Sequence, residues 1–298
     1  MNQHKNESGL ANPADIATND TMASNAMGGD WEGVAHGWEK WRETMESGTA
    51  TVTDRLLEMV EIRPGWRVLD LACGIGQPAL TAAERVGPTG KVVAIDHTAG
   101  MLELAKRQAH TLDLHNIDFI CSDASELGNV SGRFDAVLCR WGLMFLPDPA
   151  DTLVRILEAL EPGRRFAAAV WSAPERVPSI NLPFDVASEL FGTLRMRAGG
   201  PGPFRFADSA ALLRSFSAAG FHQVFMEYLT VPFEASSSAA YIELSQDLNA
   251  QLAALLAQQS APQRAHFWEA LHDAAGRYAL PDGRVRFWNE AVCITGMR

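Results

Sequence analysis

The stretch VLDLACGIGQPAL, residues 68–80, most constrains the fold of this chain. An apolar run ends in Asp70, two glycines follow one residue apart, and an apolar pattern resumes behind Pro78. This order is typical of a buried strand that turns tightly into the N-terminus of a helix. Because such turns lie at the ligand-binding edge of parallel sheets, the stretch predicts an α/β fold with a nucleotide-type site.

Apolar runs and helical patterns alternate along the rest of the chain. Continuous apolar character predicts buried parallel strands at residues 68–71, 91–95, 117–121, 134–139 and 166–171. Helical spacing predicts helices at residues 77–86, 99–110, 149–160 and 208–220 and two or three more within 236–279. An alternating edge strand at 222–233 and a final strand at 290–297 complete a doubly wound, Rossmann-like, seven-stranded and mostly parallel sheet.

Three segments fall outside that alternation. Residues 1–28 are polar and nearly free of aromatic side chains, which predicts a flexible tail. Residues 29–62 carry tryptophans at helical spacing and a second helical pattern at 53–62, which predicts an N-terminal helical cover. Residues 63–298 then form the main domain, with insertions at about 172–207 and 234–283 that we expect to form a helical lid over the strand ends.

Charge and composition narrow the class of partner. The formal net charge is -11 and no run is dense in lysine or arginine, so we expect a small-molecule substrate and no nucleic acid. No stretch approaches the length of an apolar membrane span and the N-terminal residues are polar, so we expect a cytoplasmic protein without membrane insertion. The sequence leaves the oligomeric state open.

The four cysteines are widely spaced and form no CxxC pair, which predicts reduced thiols and no metal site. Cys73, Cys121 and Cys139 nevertheless fall at or near predicted strand ends. A thiolate cluster for a soft ion is therefore an alternative hypothesis, weighed against the common role of free cysteine as a small buried apolar residue.

The glycine-rich turn allows two kinds of ligand. Gly74, Gly76 and Ala79 satisfy the G-x-G-x-x-[GA] pattern of dinucleotide-binding folds. Against that interpretation, Asp70 places a negative charge near a pyrophosphate, and Pro78 removes an N–H group that would bind phosphate. A ligand with an ammonium in place of phosphates suits both residues.

The same segment, DLACGIG, resembles the glycine-rich first motif of class I S-adenosylmethionine (SAM)-dependent methyltransferases, E/D-x-G-x-G-x-G. Ala72 stands where that motif has its first glycine, as in the ubiquinone/menaquinone-type C-methyltransferase group. The resemblance implies a small-molecule methyltransferase with SAM as cofactor. It also implies that the amino-acid end of SAM binds at Asp70, Ala72, Gly74 and Gly76.

Three later segments extend the resemblance. Asp96 follows the second strand, where an acidic side chain binds ribose hydroxyls, and the next residues resemble the family's D-x-S-x-x-M-L. The segments SDA after the third strand and FDAVLCR in the fourth are also similar to the family's. The resemblance therefore implies further cofactor contacts, from the ribose to the adenine and the methionine, at Asp96, His97, Met101, Asp123, Ala124 and Arg140.

The chemistry of methyl transfer needs few protein groups. Transfer from a sulfonium is an in-line displacement, so positioning and water exclusion supply most of the catalysis. If the acceptor carries an acidic proton, His36 is the candidate base, with Glu32 one turn before it. Trp38 and Trp141 are candidate substrate contacts, because aromatic faces attract a sulfonium and pack against aromatic acceptors; a core role is the alternative for Trp38.

The sequence thus predicts a methyltransferase with a small, apolar or aromatic acceptor, carbon being favoured over nitrogen or oxygen as the methylated atom. Two alternatives stay open. One is an NAD(P)-dependent oxidoreductase, and the other is a SAM-binding protein without catalytic activity.

Overall fold

The computed structural model describes residues 30–192 and 200–298. The predicted tail at residues 1–28 lies outside the described residues, as do residues 193–199 of the first predicted insertion. No helix in the described ranges is long and apolar enough to cross a lipid bilayer.

Within the described residues, seven strands form one sheet in the order β3-β2-β1-β4-β5-β7-β6. Strands β1 to β5 pair in parallel, and β7 lies antiparallel to both β5 and β6. The predicted α/β class and mostly parallel sheet are confirmed. The strands are β1 Arg67–Leu71, β2 Lys91–Asp96, β3 Ile117–Cys121, β4 Phe134–Arg140, β5 Leu160–Trp171, β6 His222–Ala235 and β7 Val285–Met297.

The helices flank this sheet or stand over one of its edges. In chain order they are α1 Trp31–Lys40, α2 Arg42–Met59, α3 Ala79–Val86, α4 Ala99–Thr111, α5 Pro149–Ala159, α6 Pro178–Phe191, α7 Ser209–Ala218, α8 Ser238–Leu248, α9 Ala250–Ala257 and α10 Ala261–Gly276. The start of α5 follows directly from the sequence. Asp148 accepts hydrogen bonds from the N–H groups of Ala150 and Asp151, each at 3.0 Å, and Pro149 occupies the first turn.

Helices α1 and α2 both lie in the segment predicted as a helical cover. Helix α2 already begins at Arg42, whereas the sequence pattern placed a helix only over residues 53–62. Its first half is rich in small and polar residues that leave no apolar stripe. Gly48 explains this composition, because a Cβ at that position would collide with the main chain of Pro232 in β6. The helix therefore approaches the sheet through small residues.

The second half of the chain forms an apolar core of its own. Buried side chains from α6, α8, α10 and the paired halves of β6 and β7 pack around Tyr241, Phe267 and Phe287. The final strand begins at Val285 and not at residue 290. Its first residues alternate, with Val285 and Phe287 buried and Trp288 exposed, because only one face of the β6–β7 pair is covered there.

The position of a ligand site follows from the strand order. The sheet proceeds outward from β1 through β2 to β3 on one side and through β4 to β5 on the other. Parallel α/β sheets bind ligands outside the carboxyl ends of their strands where the order reverses. Here that switch point lies between β1 and β4.

Candidate active site

A cavity of about 370 Å³ opens at the switch point, and we call it the strand-end cavity. It is lined by the residues that directly follow or end β1, β2, β3 and β4, together with the first turn of α4 and two tryptophans of α1. Predicted cofactor contacts among its lining residues are Ala72, Gly74, Asp96, His97, Met101, Asp123, Ala124 and Arg140. The structure therefore brings these eight residues together from five separate elements.

The turn after β1 is shaped by its backbone. Ala72 and Gly74 adopt left-handed conformations with φ of 57° and 53°. An alanine there costs about 1–2 kcal/mol relative to a right-handed conformation, a cost that the motif's usual glycine avoids. Gly142 after β4 accommodates the extra methyl group, because a Cβ on Gly142 would lie 2.5 Å from the Ala72 Cβ and 2.9 Å from the Cys139 sulfur.

Asp96 connects two turns of the cavity. Its Oδ2 accepts a hydrogen bond from Gly74 N at 2.8 Å, and its Oδ1 accepts one from Thr98 N at 2.9 Å. The side chain is almost fully buried beneath the cavity, and each carboxylate oxygen keeps a further lone pair for a ligand. Asp96 therefore fixes the shape of the cavity and also offers a carboxylate to ligand hydroxyl groups.

Asp70 does not line the cavity, in contrast to the prediction that it binds the amino-acid end of the cofactor. It is fully buried, and its Oδ2 accepts a hydrogen bond from Ala79 N at the start of α3, at 2.9 Å. Burial raises the pKa of Asp70 well above its ordinary value, while the bond from Ala79 and the charge of Arg140 oppose the rise. The carboxylate thus positions the turn from below.

This contact also bears on the dinucleotide interpretation. A pyrophosphate binds free N–H groups at the first turn of the helix that follows the glycine-rich loop. Here the Ala79 N–H already donates to Asp70, so it is not free to bind a phosphate. Gly76 likewise stays outside the cavity lining, because it packs against Leu80, whose Cδ1 would lie 2.8 Å from a Cβ added at Gly76.

The remaining lining residues divide by polarity. Met101 is buried and packs with Ala35 and Ile75 under α1, so it offers an apolar wall. Asp123 is exposed at the cavity rim, and Ala124 beside it is buried. His97 is exposed, with Nδ1 3.7 Å from Asp96 Oδ1, and it lies at the mouth of the cavity.

A second cavity of about 240 Å³ lies under the cover helices, and we call it the cover cavity. Side chains from α1, α2, α6, β6 and the α8–α9 segment form its walls. Aromatic rings dominate the end nearest the sheet, where Trp141 stacks on Trp171 with centroids 4.6 Å apart and Trp31 meets Phe145 edge-on at 5.1 Å. Both cavities share the residues Trp31, Trp38, Ile75, Arg140, Trp141 and Phe145.

Arg140 occupies the junction between the cavities. Its Nη1 donates to the hydroxyls of Thr49 and Thr53 on α2, at 3.0 and 2.9 Å, and its guanidinium carbon lies 5.0 Å from the Trp141 ring centroid. Burial lowers the pKa of Arg140 to about 10, so the side chain stays positively charged at neutral pH. The junction therefore carries a fixed cation in a mostly apolar setting.

Three hydrogen-bond donors at this junction have no acceptor within the described part of the chain. They are the indole Nε1 of Trp38, the indole Nε1 of Trp141 and Nε of Arg140, all of them buried. Buried donors are rarely left unpaired in native proteins. The junction is therefore suited to a ligand that presents hydrogen-bond-accepting oxygens, such as a carboxylate or an oxyanion.

Glu46 on α2 lines the cover cavity and has no counterpart among the predicted residues. It is half-buried, and in the described ranges no hydrogen bond or ion pair engages its carboxylate. Burial raises the pKa of Glu46, whereas the charges of Arg140 and Arg42 lower it. The sequence held no signal for this residue, because the half of α2 that carries it lacks a helical apolar pattern.

His36 is not brought to either cavity. It lies on the exposed face of α1, on the side toward Asp247. The prediction of His36 as a base is therefore not supported, because α1 turns Trp31 and Trp38 toward the cavities and His36 away from them. The other helical candidate, Glu32, accepts a hydrogen bond from Gly100 N at 3.1 Å and so docks α1 on α4.

The structure does not assemble the cysteines into a cluster. Cys121 is exposed at the end of β3, which β2 separates from β1, while Cys73 and Cys139 are buried. Burial raises the pKa of the Cys73 and Cys139 thiols, which opposes a thiolate site. In the described ranges no group of three or more His, Cys, Asp or Glu side chains is arranged to hold a metal ion.

Comparison with known proteins decides the family. A methyltransferase-domain family model matches residues 62–191. Over 179 residues the chain is 30% identical to a demethylmenaquinone methyltransferase of Staphylococcus saprophyticus, and the alignment covers 57% of this chain and 76% of that relative. This chain belongs to the SAM-dependent methyltransferases. Membership confirms the predicted enzyme class and SAM as the cofactor.

Other relatives of this methyltransferase match a smaller part of their length. Over 113 residues this chain is 39% identical to aklanonic acid methyltransferase DauC of Streptomyces sp. strain C5, and the alignment covers 38% of this chain and 51% of DauC. Among solved structures, a Bacillus halodurans protein has a TM-score of 0.52 at 20% identity and covers 82% of this chain and 97% of its own. The YcgJ protein of Bacillus subtilis has a TM-score of 0.51 at 19% identity, over 83% of this chain and 97% of its own. Both structural likenesses show the fold.

The strand-end cavity of this methyltransferase fits SAM chemically. Asp96 would offer its carboxylate to ribose hydroxyls, Met101 would form an apolar wall, and the unpaired indole N–H groups of Trp38 and Trp141 would donate to a carboxylate. Arg140 is the only lysine or arginine among the described lining residues, which suits a cofactor without phosphates. SAM supplies an electrophilic methyl group on a sulfonium. With SAM bound in this cavity, the protein's part would be to orient that group toward the junction and to keep water out.

Proposed function

We propose that this methyltransferase transfers a methyl group to a small aromatic acceptor bound in the cover cavity, with carbon favoured as the methylated atom. The observation that carries the proposal is the continuity of the two cavities, which share six lining residues where α1 covers the carboxyl ends of β1 and β4. A cofactor in the strand-end cavity and an acceptor in the cover cavity would meet at Arg140 and Trp141.

The walls of the cover cavity support an aromatic acceptor. Trp31, Phe145, Trp141 and Trp171 present flat apolar surfaces around the junction, and offset or edge contacts with an aromatic ring add to apolar burial. The two named relatives act on demethylmenaquinone and on aklanonic acid. The first favours a carbon acceptor of quinone type, and the second supports a role in secondary metabolism. The net charge of -11 argues against nucleic acid as the acceptor.

Enclosure supplies the catalysis in this proposal. Helix α1 closes over both cavities through its tryptophans and is itself held on α4 by the Glu32–Gly100 hydrogen bond. A closed, apolar junction aligns donor and acceptor and removes competing water, and such positioning lowers a displacement barrier by several kcal/mol, up to about 7–11 kcal/mol. No base is required when the acceptor atom is already nucleophilic.

The first experiment is calorimetric titration of the full chain with SAM, S-adenosylhomocysteine (SAH) and NADH in parallel. We expect both adenosyl ligands to bind and NADH not to bind. The protein with SAM is then screened against phenols, naphthols, a naphthohydroquinone, indole and amines, with mass gain of one methyl as the readout. Transfer of an isotope-labelled methyl, located by NMR, distinguishes carbon from oxygen or nitrogen.

Each outcome decides between the interpretations. A methylated aromatic product supports the proposal, and a methylated amine with no aromatic carbon or oxygen product contradicts it. Tight SAM binding without any product favours a SAM-binding protein that lacks catalysis. Binding of NADH alone would return the chain to the oxidoreductase class.

A further inference from the structure

Glu46 is the anionic side chain that the cover cavity holds on its α2 wall. Its neighbours along that wall carry no charge: Met45 is apolar, Gly48 has no side chain and Thr49 is neutral. The other walls are largely aromatic and aliphatic. No hydrogen bond or ion pair in the described residues holds the carboxylate. A half-buried carboxylate without a partner costs free energy unless a ligand engages it. Glu46 is therefore available to a bound molecule.

Arg140 provides the complementary charge in the same cavity. Its guanidinium is fixed by two threonine hydroxyls of α2, and its Nε is a buried donor without an acceptor. The described residues show no direct salt bridge between Glu46 and Arg140, although each influences the charge state of the other. A base and a cation held apart in an apolar cavity resemble the two halves of a proton-abstraction site.

We propose that Glu46 is the general base that removes the proton from an aromatic hydroxyl of the acceptor, and that Arg140 stabilises the oxyanion that remains. This inference rests on the proposed function and specifies its substrate class as phenols. In the step, the acceptor O–H bond breaks, its electron pair stays on oxygen, and the proton forms an O–H bond with the Glu46 carboxylate. The resulting phenolate donates electron density from oxygen or a ring carbon, and the proton leaves Glu46 for solvent after the product departs.

The charge arrangement selects a neutral hydroxyl over other acceptors. A protonated amine is repelled by Arg140, and an ionised carboxylate is repelled by Glu46 and needs no base. A phenol enters uncharged, donates to Glu46 and becomes anionic beside Arg140, whose Nε is an unpaired donor. A phenol therefore uses both charges in order.

The test compares two probes on the SAH-loaded protein by calorimetry: 2-naphthol and 2-methoxynaphthalene, which has the same rings but no hydroxyl donor. A hydrogen bond to a charged group contributes about 1.5–3 kcal/mol, so we expect the wild type to bind 2-naphthol at least about tenfold more tightly. In Glu46→Gln the preference falls to about threefold or less. Glu43→Gln is the matched control, because it removes the same charge from the exposed face of the same helix.

The preference depends on pH in a defined direction. The ionised and titratable groups that influence Glu46 are Arg140 from β4 and Arg42 and Glu43 from α2. Because burial raises the pKa of Glu46, the naphthol preference is complete above that pKa and is lost as the pH falls through it. The neutral naphthol itself does not titrate in that range. In Glu46→Gln the preference is small and independent of pH.

Methyl transfer gives the catalytic readout. With SAM in place of SAH, we expect Glu46→Gln to slow methylation of 2-naphthol at pH 7 by about 100-fold or more, with partial recovery as the pH approaches the ionisation of free naphthol. Glu46→Asp keeps the charge and is expected to retain part of the wild-type preference and rate. SAH affinity stays within about twofold in every variant, which shows that the variants are folded.

Failure of this inference is distinguishable from failure of the proposed function. If the wild type does not bind SAH, both the proposed function and the role of Glu46 are wrong. The role of Glu46 alone is overturned if the wild type binds SAH normally but does not bind naphthol or binds both probes equally. It is also overturned if Glu46→Gln leaves the naphthol preference and the methylation rate unchanged.

Discussion

The strand-end cavity takes its polar groups from the ends of β1, β2, β3 and β4, whereas the cover cavity takes its walls from α1, α2, α6, β6 and the α8–α9 segment. In the first, main-chain conformation decides the shape: Ala72 and Gly74 have positive φ, and Asp96 holds Gly74 and Thr98 through their N–H groups. In the second, shape comes from side chains on helices that are distant in sequence. The strand-end cavity is therefore a property of the sheet, and the cover cavity is a property of helix packing.

Because of this difference, we expect substitutions in the two cavities to affect the binding of SAM and of the acceptor separately. A change in the main chain at the strand ends is transmitted to the sheet, because β1 pairs with β2 on one side and with β4 on the other. A change in α1 moves a helix that contacts chiefly other helices, α4 and α8. We therefore expect substitutions at the strand ends to affect stability and SAM binding together, and substitutions in the cover to affect acceptor binding alone.

Gly142→Ala is expected to have the largest effect. The added methyl would lie 2.5 Å from the Ala72 Cβ and 2.9 Å from the Cys139 sulfur, and both neighbours are attached to the main chain of the sheet edge. Overpacking of this kind costs about 1–3 kcal/mol, so the free energy of unfolding and the SAH affinity should fall together. Thermal unfolding and calorimetry measure them. Gly276→Ala is the control, since nothing lies within 4 Å of its Cβ. An SAH affinity within twofold of wild type would show that the turn can shift freely.

Asp96→Ala should weaken SAM binding by well over tenfold, or about 1.4 kcal/mol or more, because charge-assisted hydrogen bonds to the cofactor and to the turn are lost together. Titration with SAM measures the effect. Asp96→Asn keeps one oxygen acceptor and is expected to lose less. If Asp96→Ala leaves the affinity for SAM unchanged, Asp96 does not bind the cofactor, and the strand-end cavity differs less from the cover cavity than we expect.

The strand-end cavity was largely predictable because its determinants are contiguous. The run that ends in β1, the glycines of the turn and Asp96 at the end of β2 each occupy a short segment whose pattern reports local structure. Asp70 shows where this reasoning stops. Its position in the motif was clear, but its side chain points under the turn to Ala79, and only the packed structure reveals that direction.

The cover cavity was not predictable in the same way. His36 and Trp38 share one short helix, and the apolar stripe did not show that the imidazole faces Asp247 while the indole faces the junction. Glu46 lies in a stretch of α2 whose small residues match the surface of β6 and leave no periodic signal. Arg140, which lines the same cavity, is far along the chain. Contacts of this kind arise from tertiary packing and have no local pattern.

Gly37→Ala is the corresponding change in the cover. A Cβ on Gly37 in α1 would collide with the main-chain oxygen of Asp247 in α8 and lie 2.9 Å from its carbonyl carbon. The higher helix propensity of alanine stabilises α1 by about 1 kcal/mol, and overpacking destabilises its contact with α8 by about 1–3 kcal/mol. We therefore expect the packing of α1 over the cover cavity to weaken by about 1 kcal/mol, which lowers the 2-naphthol affinity about fivefold. SAH affinity should stay within about twofold. A larger loss for SAH than for naphthol would mean that α1 positions the cofactor more than the acceptor.

Lys40→Met should have the smallest effect, although it removes the most conspicuous polar contact between the cover and the second insertion. Lys40 Nζ lies 2.6 Å from Glu243 Oε1 and 2.6 Å from Asp247 Oδ2, but the lysine is exposed, and exposed ion pairs contribute little to stability. Trp41 also donates to Asp247 at 2.8 Å, so one polar link between the helices survives the substitution. We therefore expect the 2-naphthol affinity to change by less than about twofold, and added salt to change the wild-type affinity as little. A loss as large as that of Gly37→Ala would show that charge, and not the fit of α1 against the main chain of α8, holds the cover cavity closed.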